Sequence, residues 1–168
     1  KVDFSADPEL EKRCKNTRFG NGAARVVRVR LEDTAGQDRT EFVHGQSVVL
    51  KFYCEFRENV ESLVIGYFCR TDTGINITGT NTKIEGIKIP RQAAGTRAIM
   101  LFHTTLPVRP GIYSITMALT GRRENEAEIS TIDWADLACS FSVHLAPNQP
   151  EFEQQVLIPH DFELLPVD

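Results

Sequence analysis

No phosphate-binding glycine loop, nucleophile elbow, zinc-protease helix motif or calcium loop occurs anywhere in the 168 residues. The well-marked routes to phosphoryl transfer, acyl transfer and metal-assisted hydrolysis therefore have no footing in this chain. The run of ~20 apolar residues that a membrane-crossing helix needs is missing as well, and no secretion-signal pattern opens the sequence. Positive charge is in short supply: 19 Lys and Arg stand against 23 Asp and Glu, for a net charge of −4. A nucleic-acid groove requires clustered cations, so no nucleic-acid partner is expected. His44, His103, His144 and His160 are isolated in the sequence, without the ligand spacing of a metal centre, and no metal is expected. The four cysteines, Cys14, Cys54, Cys69 and Cys139, form no C-x-x-C pair. Buried free thiols in a reducing cytosol are the expectation, with a Cys54–Cys69 or Cys54–Cys139 disulfide as the oxidised alternative.

What the chain does have is alternation. Ser62 to Thr82 organises the rest, with Leu63 to Arg70 rich in β-branched, aromatic and aliphatic residues. Thr71-Asp72-Thr73-Gly74 supplies turn chemistry, and Ile75 and Ile77 alternate with Asn76 and Thr78 in a second strand. Gly66 in mid-strand points to a bulge or a close backbone approach. Earlier in the chain, Val27, Val29 and Leu31 oppose Arg28 and Arg30. Val48, Leu50, Phe52, Cys54 and Phe56 likewise oppose Val49, Lys51, Tyr53 and Glu55. Lys83 to Gly95 reads as an edge strand plus a loop, and Arg97 to Leu106 as a further strand. Tyr113, Ile115, Met117 and Leu119 form one face of the next strand. Asp133-Trp134-Ala135-Asp136 is placed before a last strand in which Cys139, Phe141 and Val143 alternate with Ser140 and Ser142. Seven or more short strands with almost no helical periodicity predict an all-β protein, an antiparallel immunoglobulin-like or jelly-roll β-sandwich.

Three segments follow from composition. Residues 1–17 read as a linker or short helix joining something upstream, and the opening Lys1 suggests a fragment or processed product. Residues 18–147 form the sandwich. Residues 148–168 form a Pro-rich hinge and an apolar C-terminal strand without a core of its own, suited to exchange between subunits.

The candidate site is a surface. Tyr53, Phe68 and His103 stand opposite the core-facing sets of their strands, with Lys51 and Arg70 in the same company. Aromatic rings stack on the C–H faces of sugars, while charged and planar side chains bond hydroxyls and anionic substituents. Second-layer packing is the plainer role for each of these residues taken singly. Asp133 and Asp136 suggest a glycosidase-like carboxylate pair, but a cap or turn role suits them better. Asn76-Ile77-Thr78 matches a glycosylation sequon and carries little weight.

These residues also resemble a known family. Gly66-Tyr67, the turn at Gly74 and Gly79-Thr80-Asn81-Thr82 are similar to the signature of the Wzt C-terminal domain. Phe19-Gly20-Asn21-Gly22 leading into Val26 to Leu31, Pro110-Gly111-Ile112-Tyr113, and Asp133-Trp134 followed by Phe141-Ser142-Val143 fit the same pattern in order. The resemblance covers residues 18 to 145, and Asp72 departs from the position where many members carry their aspartate. It implies the carbohydrate-binding domain of an ATP-binding subunit that exports lipid-linked O-antigen polysaccharide, recognising the capped non-reducing end of the chain. By the same resemblance the domain is cytoplasmic, at the inner face of the bacterial inner membrane, and dimerises by exchanging its C-terminal strand. A membrane-spanning transporter subunit is a partner through the full-length protein. ATP and Mg belong to an ATPase domain absent from this chain, which is expected to need no cofactor and to catalyse nothing. The alternatives are a glycan-active enzyme and an extracellular Ig-like adhesive or structural domain.

Overall fold

The computed structural model describes residues 2–166. One short helix, α1 (Pro8–Cys14), precedes eight strands: β1 (Ala24–Asp33), β2 (Glu41–Val43), β3 (Ser47–Phe56), β4 (Val60–Thr71), β5 (Asn76–Asn81), β6 (Arg97–Thr105), β7 (Gly111–Arg123) and β8 (Ser130–His144). They build two sheets, β1-β3-β6 and β2-β8-β7-β4-β5. All pairings between strands are antiparallel except β2 with β8, which run parallel. The expected sandwich is therefore present, with one mixed sheet.

Alternation decides what lies between the layers. Leu50, Phe52, Cys54 and Phe56 of β3 meet Ile65 of β4 and Ile115, Met117 and Leu119 of β7 in one buried core. Burying each such large side chain stabilises the fold by about 1.5–3 kcal/mol. Phe102 of β6 links the layers, edge-on to both Phe52 and Tyr67, with ring centroids 6.1 Å and 5.3 Å away. Tyr113 shows how one sequence motif acts: its buried ring stacks on Phe141, and its hydroxyl donates to the Arg109 carbonyl at 2.6 Å, closing the turn before β7.

Several local expectations are corrected. The β1–β3 register shifts between Val26 and Arg28, so Val26 joins Val29 and Leu31 in the core. Val27 is buried outside that core, with its carbonyl accepting from the Asp7 amide. Residues 83–95 form no strand. Ile84 and Ile87 there are exposed, and a single bridge of Gln92 to Val60 ties the loop down. Asp133 to Asp136 lie inside β8, which runs unbroken for 15 residues because irregularities in its pairing absorb the surplus.

The amino-terminal stretch packs on the sandwich. Asp7 caps α1 by accepting from the Glu9 amide, Pro8 occupies the first turn, and Leu10 and Cys14 are fully buried. At the other end, Val156 bridges to Val108 and the Leu157 amide donates to Pro107. Ile158, Phe162, Leu164 and Leu165 beyond it are exposed. All four cysteines are free thiols. Burial pushes Cys69 and Cys139 up to about 12 and raises Cys14 and Cys54 too, so thiolate chemistry is suppressed.

Candidate functional site

The five residues singled out from sequence divide between opposite sides of the molecule. Lys51, Tyr53 and His103 point outward from the three-stranded sheet; Phe68 and Arg70 point outward from the five-stranded one. Strands β3 and β4 are consecutive in the chain yet belong to different sheets, and each outward set therefore faces its own solvent.

On the three-stranded side Lys51, Arg97 and Arg28 are each paired with a carboxylate. Lys51 Nζ lies 2.5 Å from Glu32, Arg97 2.7 Å from Glu55, and Arg28 2.9 Å from Asp3. Tyr53 is covered by Phe4, edge-on at 5.5 Å, and by the Arg28 guanidinium. His103 is exposed on edge strand β6.

The five-stranded side is built differently. Phe68 and Arg70 of β4 flank Thr116 and Ser114 of β7, with Trp134 and Asp136 of β8 beyond them. Phe19 stacks on Trp134 with centroids 5.7 Å apart and planes 20° from parallel, and Phe68 lies 6.0 Å from the same indole. The Arg70 guanidinium sits 5.9 Å from the Phe68 ring centroid. Three donors converge on one oxygen of Asp136: Arg70 Nη1 at 2.9 Å, Thr116 Oγ1 at 2.9 Å and Trp134 Nε1 at 3.2 Å, all to Oδ1. Oδ2 receives no donor among the described residues. A carboxylate thus anchored, with a free oxygen beside aromatic rings, can accept a hydroxyl without losing its place.

Phe68 is also one wall of a groove of about 170 Å³ that runs over Val64, Gly66, Ala118 and Thr120 to Asn81 and Ile84. That is smaller than the ~300–1,000 Å³ of a site that encloses a small molecule. It suits the end of a longer ligand. Close backbone approach shapes this groove: a Cβ on Gly66 would lie 2.5 Å from Asn81 Cβ, and one on Gly79 2.2 Å from the Tyr67 carbonyl. Only glycine lets β5 lie so near β4 at these positions. The rest of Gly79-Thr80-Asn81-Thr82 secures the exit from β5. Asn81 accepts from the Ile84 amide, and the buried Thr82 hydroxyl accepts from the Ile65 amide at 3.2 Å.

Phe19-Gly20-Asn21-Gly22 has a comparable task. Phe19 and Trp134 exchange backbone hydrogen bonds at 3.1 Å and 2.7 Å, which seats the phenyl ring on the indole. Asp133, by contrast, points inward. Its carboxylate takes two bonds from the buried Arg18 and one from the Val26 amide. Asp133 and Asp136 therefore lie on opposite faces of β8 and cannot flank one bond of a substrate. Sequence reasoning misses Phe19, Thr116 and Trp134 as members of this face and weighs Asp136 only as half of a carboxylate pair with Asp133. The available signal was Trp134-x-Asp136, a same-face spacing built on the chain's one tryptophan.

The chain is thus a two-sheet β-sandwich whose five-stranded outer face carries an aromatic cluster and a shallow groove. The family model of the Wzt C-terminal domain matches residues 15–155, and the chain belongs to that family. Its members are non-catalytic carbohydrate-binding domains of ABC-transporter subunits. A crystal structure of the C-terminal domain of Wzt matches with a TM-score of 0.81 at 14% identity, covering 98% of this chain and 100% of that one. That likeness speaks for the fold. No curated protein sequence matches the chain.

Proposed function

We propose that the outer face of the five-stranded sheet binds the capped non-reducing end of a lipid-linked O-antigen polysaccharide and so admits the finished chain to export, without turnover. The observation that carries this reading is Asp136, held through Oδ1 by Arg70, Thr116 and Trp134 while Oδ2 receives no donor among the described residues, beside the Phe68–Trp134 ring pair. Sugar rings stack on Trp134, Phe19 and Phe68, a hydroxyl donates to Asp136, and the terminal residue occupies the groove beside Phe68. The reading retains Phe68 and Arg70 and leaves out Lys51, Tyr53 and His103, which face the other way.

The rest of the assembly belongs to the same proposal. The domain acts in the cytoplasm, at the inner face of the bacterial inner membrane. It is joined to an ATPase domain that holds ATP and Mg and drives a membrane-spanning subunit. It works as a homodimer in which the C-terminal strand crosses to the second copy, so that the Val156–Val108 bridge is made between copies. Of the expected segment 148–168 the last two residues lie outside the described ones. The exposed Ile158, Phe162, Leu164 and Leu165 support the exchange, because they have no cover within one chain.

The test is titration of the domain with a panel of O-polysaccharides, each with and without its terminal cap, followed by calorimetry and by emission of the single tryptophan. Binding of one capped polymer, with a change in Trp134 emission and loss of affinity on cap removal, is expected. Equal binding of capped and uncapped forms would remove end recognition.

A further inference from the structure

The anchored carboxylate of Asp136 depends on a distortion of β8. Ile115 faces Cys139 and Met117 faces Ala135, so the single residue Thr116 stands opposite Asp136, Leu137 and Ala138. Leu137 takes φ +55°, a left-handed conformation that a branched residue adopts only when its surroundings hold it there. A bulge of this kind turns backbone carbonyls away from the ladder, and partners for them must come from elsewhere.

They come from α1. Cys14 Sγ donates to the Asp136 carbonyl at 2.8 Å, Arg13 Nε to Leu137 at 3.1 Å, and Arg13 Nη2 to Ala138 at 2.8 Å. Two adjacent helix residues thus cap three successive carbonyls of the bulge. A guanidinium is suited to this task because its planar fork can serve two acceptors at once. The backbone held in this way carries the Asp136 side chain, on which Arg70, Thr116 and Trp134 converge from the other side of the strand.

We infer that Arg13, assisted by Cys14, is a positioning residue for the candidate binding face, and that α1 is the element through which the amino-terminal segment sets the geometry of Asp136. Arg13 touches none of the site's side chains and acts through the Leu137 and Ala138 carbonyls. The inference rests on the proposed binding face only for its consequence in affinity; the mechanical link from helix to carboxylate stands on the contacts themselves.

A ligand-free readout tests the link. Trp134 is the single tryptophan, and its indole N–H donates to the carboxylate in question. Its ¹⁵N–¹H resonance is compared among the parent protein, Arg13→Ala, Arg13→Lys and Lys12→Ala. Lys12 is the exposed neighbour on the same helix. Displacement of the indole resonance in Arg13→Ala, a smaller displacement in Arg13→Lys and none in Lys12→Ala is expected. Arg13→Lys keeps the charge and one donor, so it reports on the link even if Arg13→Ala fails to fold. An arginine that only stabilised the fold would lower the melting temperature and leave the indole where it was. That outcome overturns the inference, as does equal displacement in Lys12→Ala. In the binding arm, a capped polysaccharide that the parent holds should bind Arg13→Ala about twofold to thirtyfold more weakly. If the parent binds no member of the panel, the proposed function falls, while the indole resonance still decides the link by itself.

Discussion

The two outer faces of the sandwich present similar residue types and treat them in opposite ways. Each sets aromatic rings and basic side chains on alternate strand positions. On the three-stranded face the cations are matched to neighbouring carboxylates and the tyrosine lies under Phe4. On the five-stranded face exposed Phe19 and half-buried Phe68 gather about half-buried Trp134, and Asp136 beside them takes three donors on one oxygen. Composition does not separate the two faces; the cover over their aromatic rings does, since Tyr53 lies buried under Phe4 while Phe19 is exposed.

The sharpest way to break this contrast is a crossed pair of truncations. Tyr53→Ala should cost about 2–4 kcal/mol of stability in urea melts, because it empties a covered site, and should leave polysaccharide affinity within about twofold. Trp134→Ala should weaken binding about thirtyfold or more, as loss of a central aromatic anchor does. If the two variants exchange these phenotypes, the faces have been assigned the wrong way round.

Removing the charge pair gives a smaller effect. Arg70→Ala or Asp136→Asn should lower affinity about tenfold, the worth of a charge-assisted hydrogen bond in a partly exposed site, with little change in melting temperature. Calorimetry on the same polymer measures it. Lys51→Ala and His103→Ala probe the other side and should shift affinity by less than about twofold. A tenfold loss in either would return the three-stranded face to contention.

The smallest effect concerns the cover over Tyr53. The Asp3 carboxyl is held down to about 2, from 3.8, chiefly by the Ser5 amide and then by the Ser5 hydroxyl and Arg28. A depressed folded-state value means that the contribution is complete above the unfolded value of 3.8 and disappears as pH falls through about 2. As pH falls through about 2 the Tyr53 ring resonances should move while the methyl resonance of Met117, sealed between the sheets, stays put. Parallel movement of both would mean that acid loosens the whole sandwich.

Strand faces were largely legible because period-two alternation is a local property. β3 and β7 orient their side chains as the pattern predicts, and Phe68 and Arg70 do project outward. The pattern carries no information on which sheet a strand joins, so it cannot separate Lys51, Tyr53 and His103 from Phe68 and Arg70 on the far side. It is equally silent on bulges. The irregular stretch of β8 is held by Arg13 and Cys14 from more than a hundred residues away, and nothing in Leu137 announces a left-handed backbone. Alternation alone therefore places Trp134 and Asp136 ahead of the strand that carries them.

The unequal use of the two oxygens of Asp136 has a consequence for selectivity. A carboxylate whose first oxygen already accepts three donors is a one-point acceptor, and it cannot clasp neighbouring hydroxyls of a sugar in a forked grip. Discrimination between sugars on this face would then come from ring contour against Trp134 and Phe68, and a single axial-to-equatorial change in the ligand would be felt as a lost stacking surface before it was felt as a lost hydrogen bond.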